Sequence, residues 1–211
     1  MKVRTTARLV AIVGGSGAGK TWLTDHLQRS VGDGVGRLSL DNFYRDRSRL
    51  SAGLRKRINY DHPRAIDWPL VEKALKACRA GRSFRVPRYD FVTHTRQASR
   101  EMFRPRPLNI VEGLWLLLRP SIRSLFTLRV FVDCPVRVRL SRRLARDAAE
   151  RGRSRDSVRK QFWETVSPMH ERYVVPQARW AHVVLESPPK SDRVNQLTDL
   201  LRTLGDSKAN V

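Results

Sequence analysis

The chain has 211 residues, 40% of them hydrophobic and 29% charged, so it can bury a sizeable core and is not of the kind that stays disordered. Its longest apolar runs, such as Leu114–Leu118, are far short of the roughly 18 residues a membrane span needs, and its two cysteines and five histidines show neither C-x-x-C nor H-x-x-x-H spacing, which excludes a membrane span, a disulfide framework and a structural zinc site. Lys plus Arg number 42 against 20 Asp plus Glu, a net +22 that points to an anionic partner (nucleic acid, an anionic membrane or a phosphorylated small molecule) or to an Arg-rich source.

The chain opens with basic residues before an apolar run, as a secretion signal does, but Leu9–Val13 is shorter than the roughly 7–15 residues of a signal core and leads into glycines. Arg8–Val13 is therefore predicted as a buried strand of a cytoplasmic protein. It is followed by "GGSGAGKT", residues 14–21, which fits G-x-x-x-x-G-K-[ST] ahead of a predicted helix over Thr21–Arg29. Here Gly14, Gly15, Ser16, Gly17, Ala18 and Gly19 let backbone N–H groups turn inward around phosphate at a helix N-terminus. Lys20 supplies a charge for the β- and γ-phosphates, and the Thr21 hydroxyl can ligate Mg²⁺. A dinucleotide loop does not fit, because Lys20 or Trp22 falls where a third glycine belongs. Such a cradle binds a nucleoside triphosphate in kinases, GTPases, motors and nucleic-acid machines alike.

A second strand, Gly36–Leu40, leads into Asp41, which could take the proton of an attacking hydroxyl or cap a turn. Asp67 caps a predicted amphipathic helix to Ala80, with Leu70, Val71, Ala74, Leu75 and Ala77 on its apolar face. "YDFVTHTR", residues 89–96, has no helical period and reads as a polar loop, a nucleic-acid contact or part of a pocket. "LNIVEG" and "LRVFVD" are buried-strand runs. Glu112, ending the first, could hold Mg²⁺ through water or cap; Asp133, ending the second, looks like the cap of the next helix. Helices are predicted over Val136–Glu150 and Asp156–His170, a strand over Ala181–Leu185, and a closing helix over Asp192–Leu204. Strands alternating with helices predict an α/β domain spanning residues 1–211, with a mostly parallel sheet binding its ligand at the strands' carboxyl ends.

Within the Arg-rich stretch 137–155, a helical wheel places Arg139, Arg142, Arg143 and Arg146 on one face beside an apolar stripe of Val136, Leu140 and Leu144. That face is either solvated, part of a nucleic-acid groove, or a lid over phosphates (about residues 137–160) hinged near Gly152. The stretch has no aromatic before Phe162 and Trp163, which disfavours nucleic acid.

Taken together, "GGSGAGKT", "LDNFYRD", "NYDHPRAID", "VPRYDFVTHTR", "NIVEG", "FVDCPVRVRLSRRLARDAAERGR", "SPMHERYVVP" and "WAHVVL" resemble the uridine kinase (uridine–cytidine kinase) family of P-loop kinases, in order along nearly the whole chain. The resemblance implies a P-loop NTPase fold with an Arg-rich helical lid, Mg²⁺, ATP or GTP as donor, and the 5′-hydroxyl of uridine or cytidine as acceptor. It also implies a homo-oligomer. By the same resemblance Asp41 is the general base, Asp61 holds the ribose hydroxyls and Tyr60 lies beside the base. Tyr89 and Phe91 flank a flat ring, whose polar edge His94 addresses. Arg143, Arg153 and Gln161 are further nucleoside contacts, Arg146 and Arg151 face the phosphates, and Glu112 is the magnesium-side carboxylate. Arg96 is open between a phosphate contact and a fold-holding salt bridge. Two other readings stand beside this one: a P-loop kinase of another small alcohol (a riboside, a sugar phosphate or a pantothenate-like acceptor), and a basic P-loop ATPase acting on nucleic acid.

Overall fold

The computed structural model describes residues 6–206. Five strands, β1 (Arg8–Gly14), β2 (Val35–Ser39), β5 (Leu108–Gly113), β6 (Leu128–Asp133) and β7 (Val183–Glu186), form a wholly parallel sheet in the order β2-β5-β1-β6-β7. β1 is the centre, with Val10 paired to Ile110 on one side and Leu128 on the other. Its continuous apolar run reflects burial on both faces. Leu9, Ala11 and Val13 face a core with Trp68, Val71 and Leu75 of α3 (Trp68–Arg79), whereas Val10 and Ile12 face one with Leu23 and Leu27 of α1 (Lys20–Val31) and Leu197 and Leu201 of the last helix. Each fully buried leucine in these layers contributes about 1.5–3 kcal/mol.

The remaining helices are α2 (Ala52–Lys56), α4 (Pro120–Arg123), α5 (Val136–Arg151), α6 (Arg155–Gln161), α7 (Ser167–Tyr173) and α8 (Ser191–Asp206). None in the described residues is long and apolar enough to cross a membrane. Cys78 and Cys134 are free, buried thiols. Asp67 caps α3, its side chain accepting from the Leu70 N–H at 3.3 Å.

Three sequence expectations need correction. Asp133 caps nothing: α5 starts after Pro135 with no side-chain cap, and Asp133 is exposed. The helix expected over Asp156–His170 is interrupted by a π-turn, Phe162–Val166, between α6 and α7. Pro168 has no N–H to return to Glu164, which breaks the regular ladder there, and the Ser167 N–H reaches back to the Phe162 carbonyl instead. The segment around YDFVTHTR is an antiparallel hairpin of β3 (Phe84–Asp90) and β4 (Thr95–Phe103), separate from the main sheet. Pro87 inside β3 hides the strand from a sequence reading, and the ribbon tolerates it by shifting register between Pro87 and Tyr89.

Candidate active site

The cradle wraps the carboxyl end of β1. Gly17 (φ 78°) sits so close to α5 that a Cβ there would meet the Arg139 carbonyl oxygen at 2.5 Å, and Gly19 (φ 95°) is the N-cap of α1. Only glycine serves at these two positions. Lys20 Nζ donates to the Gly15 carbonyl at 2.9 Å, and Thr21 Oγ1 donates to Glu112 Oε2 at 3.0 Å. Burial lowers the Lys20 pKa, with the carboxylates of Asp41 and Glu112 acting in the opposite direction. Burial likewise raises the Asp41 pKa, against the pull of Lys20.

Asp41 stands in the first turn of a 3₁₀ segment, Leu40–Phe43, whose cap is Ser39: the Asp41 N–H donates to Ser39 Oγ at 3.2 Å. The capping alternative for Asp41 therefore does not apply. Its Oδ1 is a buried acceptor without a hydrogen-bond partner, so an acceptor is held ready beside the cradle. Glu112 does not cap either; its second oxygen pairs with Arg37 Nη2 at 2.6 Å, and Arg37 also pairs with Asp25. The donor set at this end is hydroxyl and carboxylate oxygen. It suits Mg²⁺, which keeps several waters and takes one or two carboxylates plus substrate phosphate. No group of three or more His, Cys, Asp or Glu side chains that could hold a metal occurs in the described residues.

The other end is aromatic. Asp90 closes the hairpin tip by accepting from Val92 N–H at 2.8 Å and Thr93 Oγ1 at 2.7 Å, and His94 completes the turn in the left-handed region (φ 57°). The His94 ring then stacks on Tyr60, centroids 3.9 Å apart and planes 8° apart, and its Nδ1 lies 3.4 Å from the Tyr89 hydroxyl. Burial lowers the His94 pKa and Arg151 adds to that, so the ring is neutral near pH 7. Tyr89 and Phe91 meet edge to face at 79°, making a corner instead of two parallel walls. Arg96 is the fold-holding alternative: Nε donates to the Tyr44 carbonyl at 2.8 Å, and Nη2 reaches Asp67 Oδ2 at 3.2 Å and the Phe43 carbonyl at 3.4 Å.

Arg139, Arg142, Arg143 and Arg146 of α5 form no solvated face; Arg137 alone of its first turn is exposed. Arg139 is buried, donating from Nε to the Cys134 carbonyl at 3.2 Å, and Arg142, at the cavity wall, donates to the Ala18 carbonyl of the cradle (3.3 Å) and to Ser187 Oγ (2.9 Å). Arg143 donates to Ser16 Oγ at 3.0 Å and Gln161 Oε1 at 3.1 Å, and Arg146 reaches Ser16 Oγ at 3.5 Å. Arg151 lies over the Phe91 ring at 4.8 Å, and Arg153 donates to Gln161. Asp61 Oδ2 accepts from Gln161 Nε2 and Thr165 Oγ1, both at 3.2 Å.

Every residue given a catalytic, nucleotide, acceptor or magnesium role in the sequence lines one cavity of about 990 Å³ except Gly14, Gly15 and Ala18 of the cradle; Arg96, Asp133 and Arg139 lie outside it. Sequence reading missed four participants. Tyr44 stacks on Tyr89 (4.9 Å, 29°) and donates to the Tyr60 carbonyl at 3.2 Å; its only signal was its place in LDNFYRD. Asp147, in the RRLARD run, is fully buried among arginines. Arg37 and Thr165 carried no signal: one is a strand residue whose partners are distant in sequence, and the other reaches Asp61 from within the π-turn.

A parallel sheet with a Gly-rich cradle after its central strand, a lysine at the start of the next helix, and strand-end carboxylates facing a second, ligand-sized compartment define a P-loop kinase, an ATP-dependent phosphotransferase. The profile of the Phosphoribulokinase / Uridine kinase family matches residues 9–193, and the chain belongs to that family. It is 42% identical to a uridine kinase of Deinococcus deserti, over 84% of this chain and 86% of that one. It is 36% identical to a uridine kinase of Staphylococcus haemolyticus, over 93% and 96%. The fold is also that of phosphoribulokinase from Rhodobacter spheroides, with a TM-score of 0.65 at 17% identity over 86% of this chain and 70% of that one.

Proposed function

We propose that this chain transfers the γ-phosphoryl group of ATP or GTP to the 5′-hydroxyl of uridine or cytidine, with Mg²⁺, as one kinase domain whose lid covers about residues 137–160. The observation that carries this reading is the position of Asp41, whose buried, unpartnered Oδ1 stands where the phosphate cradle meets the aromatic compartment. A base so placed touches both the attacking hydroxyl and the space beyond the β-phosphate. The two relatives above bear the name uridine kinase, which supports the acceptor.

In this reading the cradle backbone and Lys20 hold the triphosphate, and Thr21 and Glu112 are the side chains that would hold Mg²⁺, whose charge would offset that of the phosphates. Asp61 holds the ribose hydroxyls, with Arg143, Arg153 and Gln161 around it. Tyr89, Phe91 and Tyr60 enclose the base. With its Nδ1 accepting from Tyr89, His94 donates from Nε2 to the base's polar edge. The 5′-oxygen attacks the γ-phosphorus in line while Asp41 Oδ1 takes its proton; its raised pKa makes that carboxylate a better acceptor. Negative charge on the transferring group and leaving oxygen is met by Lys20, Arg146 and Arg151, and the closed lid keeps water from competing as acceptor.

The test is an acceptor panel of uridine, cytidine, nicotinamide riboside, ribulose 5-phosphate and pantothenate with Mg-ATP, read by product mass, for the wild type and Asp41→Asn. Phosphorylated uridine or cytidine is expected from the wild type, and at least a hundredfold lower turnover from Asp41→Asn with ATP affinity retained. Product from another alcohol alone would refute the acceptor, and a fully active Asp41→Asn would refute the base. Hydrolysis stimulated by DNA or RNA with a steep salt dependence would mark a nucleic-acid-dependent ATPase instead.

A further inference from the structure

Asp147 has no place in the reaction as described, yet it is the most constrained carboxylate in the molecule. It is fully buried on α5, and four guanidiniums converge on it. Oδ1 takes Arg146 (Nη2 at 2.9 Å, Nε at 3.0 Å) and Arg151 (Nη1 at 3.3 Å). Oδ2 faces Arg143 Nε at 3.4 Å and Arg153 Nη1 at 3.9 Å, and makes no hydrogen bond. Its own carbonyl accepts the N–H groups of Gly152 and Arg153, which closes α5 and turns residues 151–153 back toward the same carboxylate.

The arginines on both oxygens reach across the cavity. On Oδ1, Arg146 reaches Ser16 of the cradle and Arg151 lies over Phe91; on Oδ2, Arg143 and Arg153 meet on Gln161, which itself donates to Asp61, and Arg143 also donates to Ser16. Asp61 also pairs with Arg143, at 4.0 Å, and two carboxylates cannot neutralise four guanidiniums, so the cluster carries an excess of positive charge that a triphosphate in the cradle would offset. Phosphate oxygens that drew Arg146 and Arg151 toward them would free Oδ1, leaving the carboxylate to hold Arg143 and Arg153 more strongly.

We infer that Asp147 is a positioning residue that couples the two ends of the cavity, so that triphosphate binding tightens acceptor binding and, by linkage, the reverse. This rests on the proposed kinase reading. It differs from a purely structural role, which would weaken both ligands without changing how one affects the other.

The experiment measures uridine affinity by calorimetry with and without a non-hydrolysable ATP analogue and Mg²⁺, for the full chain as wild type, Asp147→Asn and Asp147→Glu. The wild type is expected to bind uridine roughly fivefold or more tightly with the analogue present. In Asp147→Asn that ratio falls to about one, and Asp147→Glu, which keeps the charge on a longer arm, lies between. A wild-type ratio of one, or an Asp147→Asn ratio equal to that of the wild type, overturns the inference. Should Asp147→Asn fail to fold, Asp147→Glu decides, and a wild-type ratio there is equally fatal. If wild type binds another alcohol of the panel but not uridine, the acceptor reading falls and the same ratio, measured with that alcohol, judges Asp147. If no alcohol binds, both fall.

Discussion

Replacing Arg96 with alanine removes the brace between the hairpin and the segment after β2. The guanidinium makes one short charge-assisted hydrogen bond, to the Tyr44 carbonyl at 2.8 Å, and a long one to the Phe43 carbonyl at 3.4 Å. Its ion pair with Asp67 at 3.2 Å is partly exposed, the two side chains keeping 19% and 29% of their accessibility. A hydrogen bond from a charged donor contributes about 1.5–3 kcal/mol, and the long bond and partly exposed pair add at most about 1 kcal/mol together. Asp67 still caps α3 after the change, and water can take its freed oxygen. The loss sums to roughly 3 kcal/mol, a fall in Tm of roughly 6–12 °C for a chain of this size. Because Tyr44 stacks on Tyr89 and Tyr89 meets His94, loosening this brace should also raise the KM for the nucleoside while ATP affinity holds. Differential scanning calorimetry and initial-rate kinetics on Arg96→Ala and Arg96→Lys test this, with lysine recovering less than half because it cannot span the carbonyl and the carboxylate together. A Tm within 2 °C of the wild type (~0.5–1 kcal/mol) would refute the brace.

His94→Ala should raise the KM for uridine roughly tenfold, the loss of one buried hydrogen bond, and leave the ATP Kd within about twofold; equal losses for both ligands would remove His94 from the acceptor end. The acid limb of kcat/KM should lie above the usual carboxylate range because burial raises the Asp41 pKa; a limb at or below about pH 4 would contradict its role as base. His170, only 8% exposed and packed against the cradle, has its pKa pushed down by burial to about 4. The unfolded chain takes up that proton first, so stability is full above pH ~6.5 and falls as the pH drops toward about 4, by about 3 kcal/mol at most. Tm measured against pH should therefore flatten over that range in His170→Gln, and an unchanged slope would refute the assignment.

The elements that were legible are those whose signal is local. β1, β5 and β6 were largely apolar runs bounded by glycine or acid, α3 had a capping Asp67 and a clear period, and the cradle needed particular residue types at particular spacings. The hairpin was not legible, because Pro87 interrupts β3 and β4 is mostly exposed, leaving no alternation to read. Nor was the π-turn, where one proline shifts the hydrogen-bond ladder and so turns Thr165 with Gln161 toward Asp61. A helical wheel grouped Arg139, Arg142, Arg143 and Arg146 on one face but could not say that Arg139 is buried against Cys134 while the other three line the cavity.

What the sequence by itself determined is the chemistry available: a phosphate cradle, strand-end carboxylates, a hydroxyl beside the cradle lysine and a supply of arginines. Each depends on residues adjacent in the chain, where backbone geometry alone sets their relation. Which arginine braces and which reaches into the cavity, that Tyr44 joins Tyr89, and that Asp147 gathers four guanidiniums were decided only by tertiary structure. Those relations depend on how α5, the hairpin and the π-turn pack around one cavity, and the packing of distant segments leaves no period or spacing in the chain.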